Sequence, residues 1–192
     1  FRRVLFRSKP CYGWRLPPEG LYHITSLVSI HLPRYHYANF NALAELPLLR
    51  DLSVHVMSPD ILLSDGFNEL ITRLSSLSLV TSGYRRLEFL GFASKLDNLQ
   101  KLELRRFVIR EEQALQGLTR LTELSLSYSD FILGLKSIWS MHHLKRLTLD
   151  APHTPPHAHH AFVELNHQSF PELRRLKFAI LFHVSEWIGL VS

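Results

Sequence analysis

The chain has 192 residues, 46% of them hydrophobic and 20% charged, with a formal net charge of +5. That balance agrees with a cored protein, and no apolar run approaches the ~20 residues of a membrane-spanning helix, so no membrane partner is expected. The single cysteine, Cys11, excludes an internal disulfide.

At the N-terminus, Arg2, Arg3, Arg7, Lys9 and Arg15 hold five of the 22 basic residues, and no acidic residue precedes Glu19. The 17 basic residues that remain meet 17 acidic ones, so the rest of the chain is neutral. Residues 1–20 are therefore read as a basic segment separate from residues 21–192. Two readings of it stay open: a non-native stretch over Phe1 to Ser8, whose string RVLFRS resembles the ends of poorly trimmed translated reads, or a partly disordered native segment. No hydrophobic leader follows the basic start.

Beyond it, one apolar pattern recurs seven times, always with spacing three and then two. The first copy is Leu27, Ile30 and Leu32. An apolar run from Phe40, with Phe40 and Leu43 on one side and Pro47 beyond, predicts a short helix ending before the proline. The second copy is Leu49, Leu52 and Val54. Ser58 then offers a cap with Pro59 at the first helical position, and helical spacing resumes from Asp65. The third and fourth copies are Leu74, Leu77, Leu79 and Leu99, Leu102, Leu104. Glu111 and Glu112 suit a helix start, where carboxylates oppose the positive end of the dipole.

The fifth copy is Leu121, Leu124 and Leu126, and a further helix-spaced run begins at Gly134. His142 and His143 are expected in a turn before the sixth copy, Leu144, Leu147 and Leu149. The seventh is Leu173, Leu176 and Phe178. First positions are separated by 22, 25, 25, 22, 23 and 29 residues, a solenoid period. The physical reading is a short strand in each copy. Its two apolar residues two apart point inward, and the first leucine comes in from the bend before it. A single unit cannot bury its own apolar edge; stacked neighbours bury it together.

This L-x-x-L-x-L pattern, covering Leu27 to Phe178, resembles that of the leucine-rich repeat family. The resemblance implies an α/β solenoid shaped as a curved horseshoe, about seven repeats long. Its parallel β-sheet would line the concave face, and short helices and turns the convex face. The family's asparagine would fall at Tyr35, Met57, Ser82, Phe107, Ser129, Pro152 and Leu181, and none is asparagine. The final apolar position survives as Tyr37, Tyr84, Ile109 and Phe131, so the chain reads as a divergent member without an asparagine ladder.

Residues flanking the inward leucines alternate onto the concave surface. One row is Ser29, Asp51, Ser76, Lys101, Glu123, Arg146 and Arg175. The next is His31, Ser53, Ser78, Glu103, Ser125, Thr148 and Lys177, and the third is Pro33, His55, Val80, Arg105, Ser127, Asp150 and Ala179. Candidate partner-binding residues are Asp51, Ser53, His55, Lys101, Glu103, Arg105, Glu123, Arg146, Thr148, Arg175 and Lys177. These rows contain no large aromatic residue. The basic end formed by Arg146, Arg175 and Lys177 is expected to face an acidic patch on the partner.

Motifs that carry chemistry are thin. His153, His157, His159 and His160 crowd one stretch, with His167 nearby, but two prolines forbid regular structure there and no cysteine completes a site. A solvated insertion loop, not a metal site, is expected in this longest step. There is no G-x-S-x-G and no glycine-rich phosphate loop. No enzyme activity and no cofactor is expected. The function expected is protein–protein interaction by a monomeric solenoid serving a larger protein. Nucleic-acid binding through the basic N-terminus is the alternative. The resemblance extends to the substrate-reading arrays of F-box ubiquitin-ligase subunits and the sensing arrays of nucleotide-binding immune receptors, although neither an F-box nor a phosphate loop is present. One cysteine and no N-x-S/T sequon point to an intracellular setting, cytoplasmic or nuclear.

Overall fold

The computed structural model describes residues 2–5, 23–32, 40–56, 58–81, 87–88, 95–109, 115–128, 138, 141–151 and 170–180. The strands are β1 (Arg2–Leu5), β2 (Leu27–Leu32), β3 (Asp51–Val56), β4 (Ser76–Thr81), β5 (Leu87–Glu88), β6 (Lys101–Arg105), β7 (Phe107–Val108), β8 (Glu123–Ser127), β9 (Arg146–Ala151) and β10 (Arg175–Ile180). Two α-helices, α1 (Phe40–Ala44) and α2 (Asp65–Ile71), and a 3-10 helix at Pro59–Leu63 complete the described elements. The architecture is α/β. One parallel sheet of eight strands runs β1-β2-β3-β4-β6-β8-β9-β10, so each strand lies beside the next in chain order. A two-stranded parallel sheet pairs β5 with β7. The apolar pattern counts seven strands; β1, inside the basic segment, is the eighth.

The three-then-two spacing has a backbone cause. The inward leucines lie in exact register from strand to strand: Ile30, Leu52, Leu77, Leu102, Leu124, Leu147 and Leu176 form one line across the sheet. Through Leu147 these residues are at most 2% exposed. The first leucine of each copy sits in the bend, and its amide donates to the carbonyl three residues earlier. Those acceptors are Ile24, Leu46, Ile71, Leu96, Leu118, Met141 and Phe170. All seven are apolar, and six are buried, with Ile24 packed against the core. The repeating unit thus has a fourth apolar position, three residues before the first leucine. The next amide donates across to the preceding unit, as Arg50 to Val28, Ser75 to Arg50, Gln100 to Ser75, Thr122 to Gln100, Lys145 to Thr122 and Arg174 to Lys145, at 2.8–2.9 Å. Each buried leucine contributes roughly 1.5–3 kcal/mol.

The return limbs between β2 and β4 are short helices, as the spacing predicts. Helix α1 ends at Ala44, three residues before Pro47. Ser58 does cap a turn, its Oγ accepting from the Asp60 amide at 3.3 Å and donating to the Asp60 carboxylate at 2.8 Å. That turn is 3-10, and the cap of α2 is Ser64, whose Oγ accepts from the Phe67 amide at 3.3 Å. Phe40 and Phe67 join the two helices edge to face, with ring centroids 5.2 Å apart. Arg73 reaches back to donate to the carbonyls of Leu43 and Ala44 at the end of α1, the first of which also accepts from the Leu46 amide at 3.2 Å. The helix starts expected at Glu111 and over most of the Gly134 run lie outside the described residues, as does the histidine stretch from His153 to His160. Among the described residues no helix is long and apolar enough to cross a membrane.

The α1–α2 contact leaves no room at Gly66. A Cβ there would overlap Asn41 Oδ1 and Asn41 N and fall 2.6 Å from Asn41 Cα. Two of those atoms are backbone, so no rotamer change relieves the clash. Helix propensity alone favours alanine over glycine by about 1 kcal/mol. Overpacking costs about 1–3 kcal/mol and needs α1 to move, so it outweighs the propensity gain. Gly66→Ala is expected to lower the urea midpoint, while Glu69→Ala, at an exposed position of α2, moves it less. An unchanged or raised midpoint for Gly66→Ala would show that α1 yields freely.

Candidate functional site

The rows read from the sequence fall in register on one face of the sheet. Ser29, Asp51, Ser76, Lys101, Glu123, Arg146 and Arg175 are successive Cα partners. So are His31, Ser53, Ser78, Glu103, Ser125, Thr148 and Lys177. In the third row His55, Val80, Arg105, Ser127, Asp150 and Ala179 follow one another, with Pro33 outside the described residues. All eleven candidate residues therefore share one surface. Asp51, Ser53, His55, Glu103, Glu123 and Thr148 are half-buried, and Lys101, Arg105, Arg146, Arg175 and Lys177 are exposed.

Register decides which charges meet. Glu123 lies between Lys101 and Arg146, and its two carboxylate oxygens take one cation each: Arg146 Nη1 at 2.7 Å and Lys101 Nζ at 3.8 Å. Arg175 and Lys177 make no ion pair with any described residue. The basic end is thus two unmatched cations and one matched, not three equivalent ones. Asp51 accepts from Ser75 Oγ at 3.3 Å. An open groove of about 760 Å³ crosses β2 to β6 over His31, Asp51, Ser53, Ser78, Lys101 and Glu103. A shallower one of about 270 Å³ continues over Glu123, Thr148, Arg146 and Arg175. Hydroxyl-bearing and charged residues are the most numerous in both linings, with Val28, Ile30, Leu52 and Val80 among them in the larger, and both grooves are open, unlike the enclosed pockets that hold small molecules.

Two residues at strand ends depart from the alternation rule. Arg106 and Tyr128 follow the last residues of β6 and β8, where strict alternation would turn them toward the core. Each instead has positive φ, 66° and 54°, and each is exposed. Their amides are held at 2.9 Å by the Ser127 carbonyl and at 2.6 Å by the Asp150 carbonyl. Tyr128 is 44% exposed, and the Arg105 guanidinium stands 5.3 Å from its ring centroid. The sequence rows lack a large aromatic; the left-handed turn supplies one. Buried Thr81, at the corresponding end of β4, donates to the Arg106 carbonyl at 3.0 Å.

Away from this face, His143 and Glu172 meet at 3.1 Å and Lys145 approaches the same carboxylate at 3.7 Å. The hydrogen bond from His143, with the Lys145 charge beside it, holds the Glu172 carboxyl below its ordinary value. Both histidines before β9 lie in a turn, as the sequence predicts. Among the described residues no group of three or more His, Cys, Asp or Glu side chains is placed to hold a metal ion. Asn98, in the bend before β6, bridges units: it donates to the Thr72 carbonyl at 2.8 Å and accepts from Arg120 at 3.3 Å. No family model matches the chain, and no curated protein matches it.

Proposed function

We propose that the chain is a leucine-rich-repeat solenoid, the recognition part of a larger protein, and that it binds a partner protein through the concave face of its sheet. The observation that supports this reading is the division of strands β3, β4, β6, β8 and β9 of the large sheet into a buried aliphatic side and a mostly polar side in continuous register. Such a polar side spans seven strands from β2 without a helix of the described residues laid over it. Repeat solenoids present surfaces of this kind to their partners.

The test is capture from cell extract with immobilised protein, followed by measurement of association with the captured partner. Arg146→Glu, Arg175→Glu and Lys177→Glu together are expected to slow association at least about tenfold, because complementary charge acts chiefly on the on-rate. The fold should persist, since exposed substitutions usually stay within about ±0.5 kcal/mol. Glu45→Lys with Glu69→Lys, exposed on the return limbs, should leave association unchanged. Loss of capture in the return-limb variant, with the face variant intact, would place docking elsewhere.

A further inference from the structure

We infer that the docking face is concentrated over β6 to β10 and takes an extended, acidic segment of a partner polypeptide, anchored at Tyr128 and held by Arg105, Arg175 and Lys177. This rests on the reading of the face as a docking surface and adds the chemistry of its occupant.

The charge ledger of the face points to carboxylates. Lys101 and Arg146 are already engaged by Glu123. Arg175 and Lys177 are exposed and make no ion pair with a described residue. Arg105 has the tyrosine ring beside it and no carboxylate of the described residues. The unmatched cations therefore lie at opposite ends of the β6–β10 patch. Between them are the hydroxyls of Ser125 and Ser127, 3.5 Å apart, and of Thr148, with the Asp150 carboxylate next to Ser127, so the acidic residues of the segment belong at its two ends and not at its centre. Hydroxyls donate to or accept from a crossing main chain equally well.

Tyr128 supplies the contact that charge alone lacks. Interface energy gathers on a few aromatic and arginine side chains, and a rigid tyrosine with a guanidinium beside it is of that type. The left-handed backbone at Tyr128 makes this exposure a fixed property of the turn.

Dimensions set the length of the segment. Arg105 and Lys177 are separated by three strand spacings and a two-residue offset, roughly 16 Å between backbone positions. In an extended chain residues i and i+4 point to the same side and lie roughly 13 Å apart, and the long side chains of Arg105 and Lys177 lean inward over the few ångströms that remain. Two acidic residues four apart would thus face Arg105 and the Arg175–Lys177 pair together. A nucleic acid fits less well. Its phosphates repeat along the strand and want a continuous basic track. Here Glu103, Glu123 and Asp150 interrupt the track on the same face.

The experiment selects a displayed library of random ten-residue peptides on the immobilised chain, then synthesises an enriched peptide and measures its affinity by fluorescence anisotropy. The result expected is enrichment of peptides with two Asp or Glu residues four apart. Tyr128→Ala, and separately Arg175→Glu with Lys177→Glu, should each weaken the selected peptide about tenfold or more, the range of an interface hot spot. Tyr128→Phe should stay within about twofold, which separates loss of the ring from damage to the turn. Circular dichroism melts establish that each variant is folded. Enrichment of basic or uncharged peptides, no enrichment at all, or tighter binding of a single-stranded RNA decamer at the same residues would overturn the inference. If the selected peptide is lost in Asp51→Lys but kept in Tyr128→Ala, the face remains a docking surface and its acidic-segment assignment fails. If only Glu45→Lys with Glu69→Lys removes binding, both fall.

Discussion

Phe107→Asn should be among the most damaging single substitutions in the chain, lowering stability by about 3–5 kcal/mol. The resemblance to leucine-rich repeats would put that family's asparagine at this position, so on the sequence alone the change would pass for a restoration. The structure argues otherwise. Phe107 is fully buried, in β7, paired with Leu87 and placed just after the left-handed Arg106. An asparagine would vacate most of the ring's volume. It would also bring a buried amide into a space now filled by an apolar ring, and an unsatisfied buried amide costs about 1–3 kcal/mol more. Phe107→Leu keeps an apolar side chain and is expected to lose less than Phe107→Asn. Urea midpoints of the three proteins, followed by circular dichroism, decide the matter. An asparagine variant as stable as the parent would mean that hydrogen-bonding partners for the amide are already in place there.

Leu102→Ala and Leu176→Ala should differ sharply although the two residues occupy the same place in the repeated pattern. Leu102 has Leu77 in register on one side and Leu124 on the other, and no exposed surface. Removing it empties a space walled by both neighbours, at about 2–5 kcal/mol. Leu176 has Leu147 in register on one side, β10 is the last strand of the sheet among the described residues, and Leu176 is 49% exposed. Truncation there should cost less than about 1 kcal/mol, because half of the side chain is already in water. The two melts, compared with the parent, check this. Equal losses would mean that stability is shared over the whole array and is not a sum of nearest-neighbour contacts.

These contrasts mark how far the sequence could be read. The order and register of the rows were legible because side-chain direction in a strand has period two, and the leucine spacing fixes its phase. Lys101, Glu123 and Arg146 could be set side by side before any coordinates, and the carboxylate bridging them follows from that register. The apolar residue three before each first leucine was equally visible, as Leu46, Ile71, Leu96 or Leu118, but it lies in a bend, where alternation gives no reason to look. Tyr128 and Arg106 were hidden more deeply. Positive φ in a residue other than glycine carries little local signature, and alternation alone would turn both side chains toward the core. Ser58 and Ser64 both precede an acidic residue within two positions, and both cap, the first a 3-10 turn and the second α2. That the first turn is 3-10 and the second a true helix, packed through Phe67 on Phe40, was not legible from the serines themselves. Strand β1 follows no leucine pattern, and nothing in the repeat period announces it.

The run of main-chain bonds through the bends, from Arg50 to Val28 and on to Arg174 and Lys145, has an evolutionary consequence. A bond between an amide and a carbonyl does not depend on which side chains those residues carry. Val28, Arg50, Ser75, Gln100, Thr122, Lys145 and Arg174 occupy equivalent points of that run and have almost nothing in common chemically. Mutation can therefore redraw this margin of the protein without unstitching one unit from the next. Duplicating a stretch such as 101–122 would hand the newcomer the same donors and acceptors that its parent already satisfies. Growth by copying and drift of the copies are both open to a chain joined in this way.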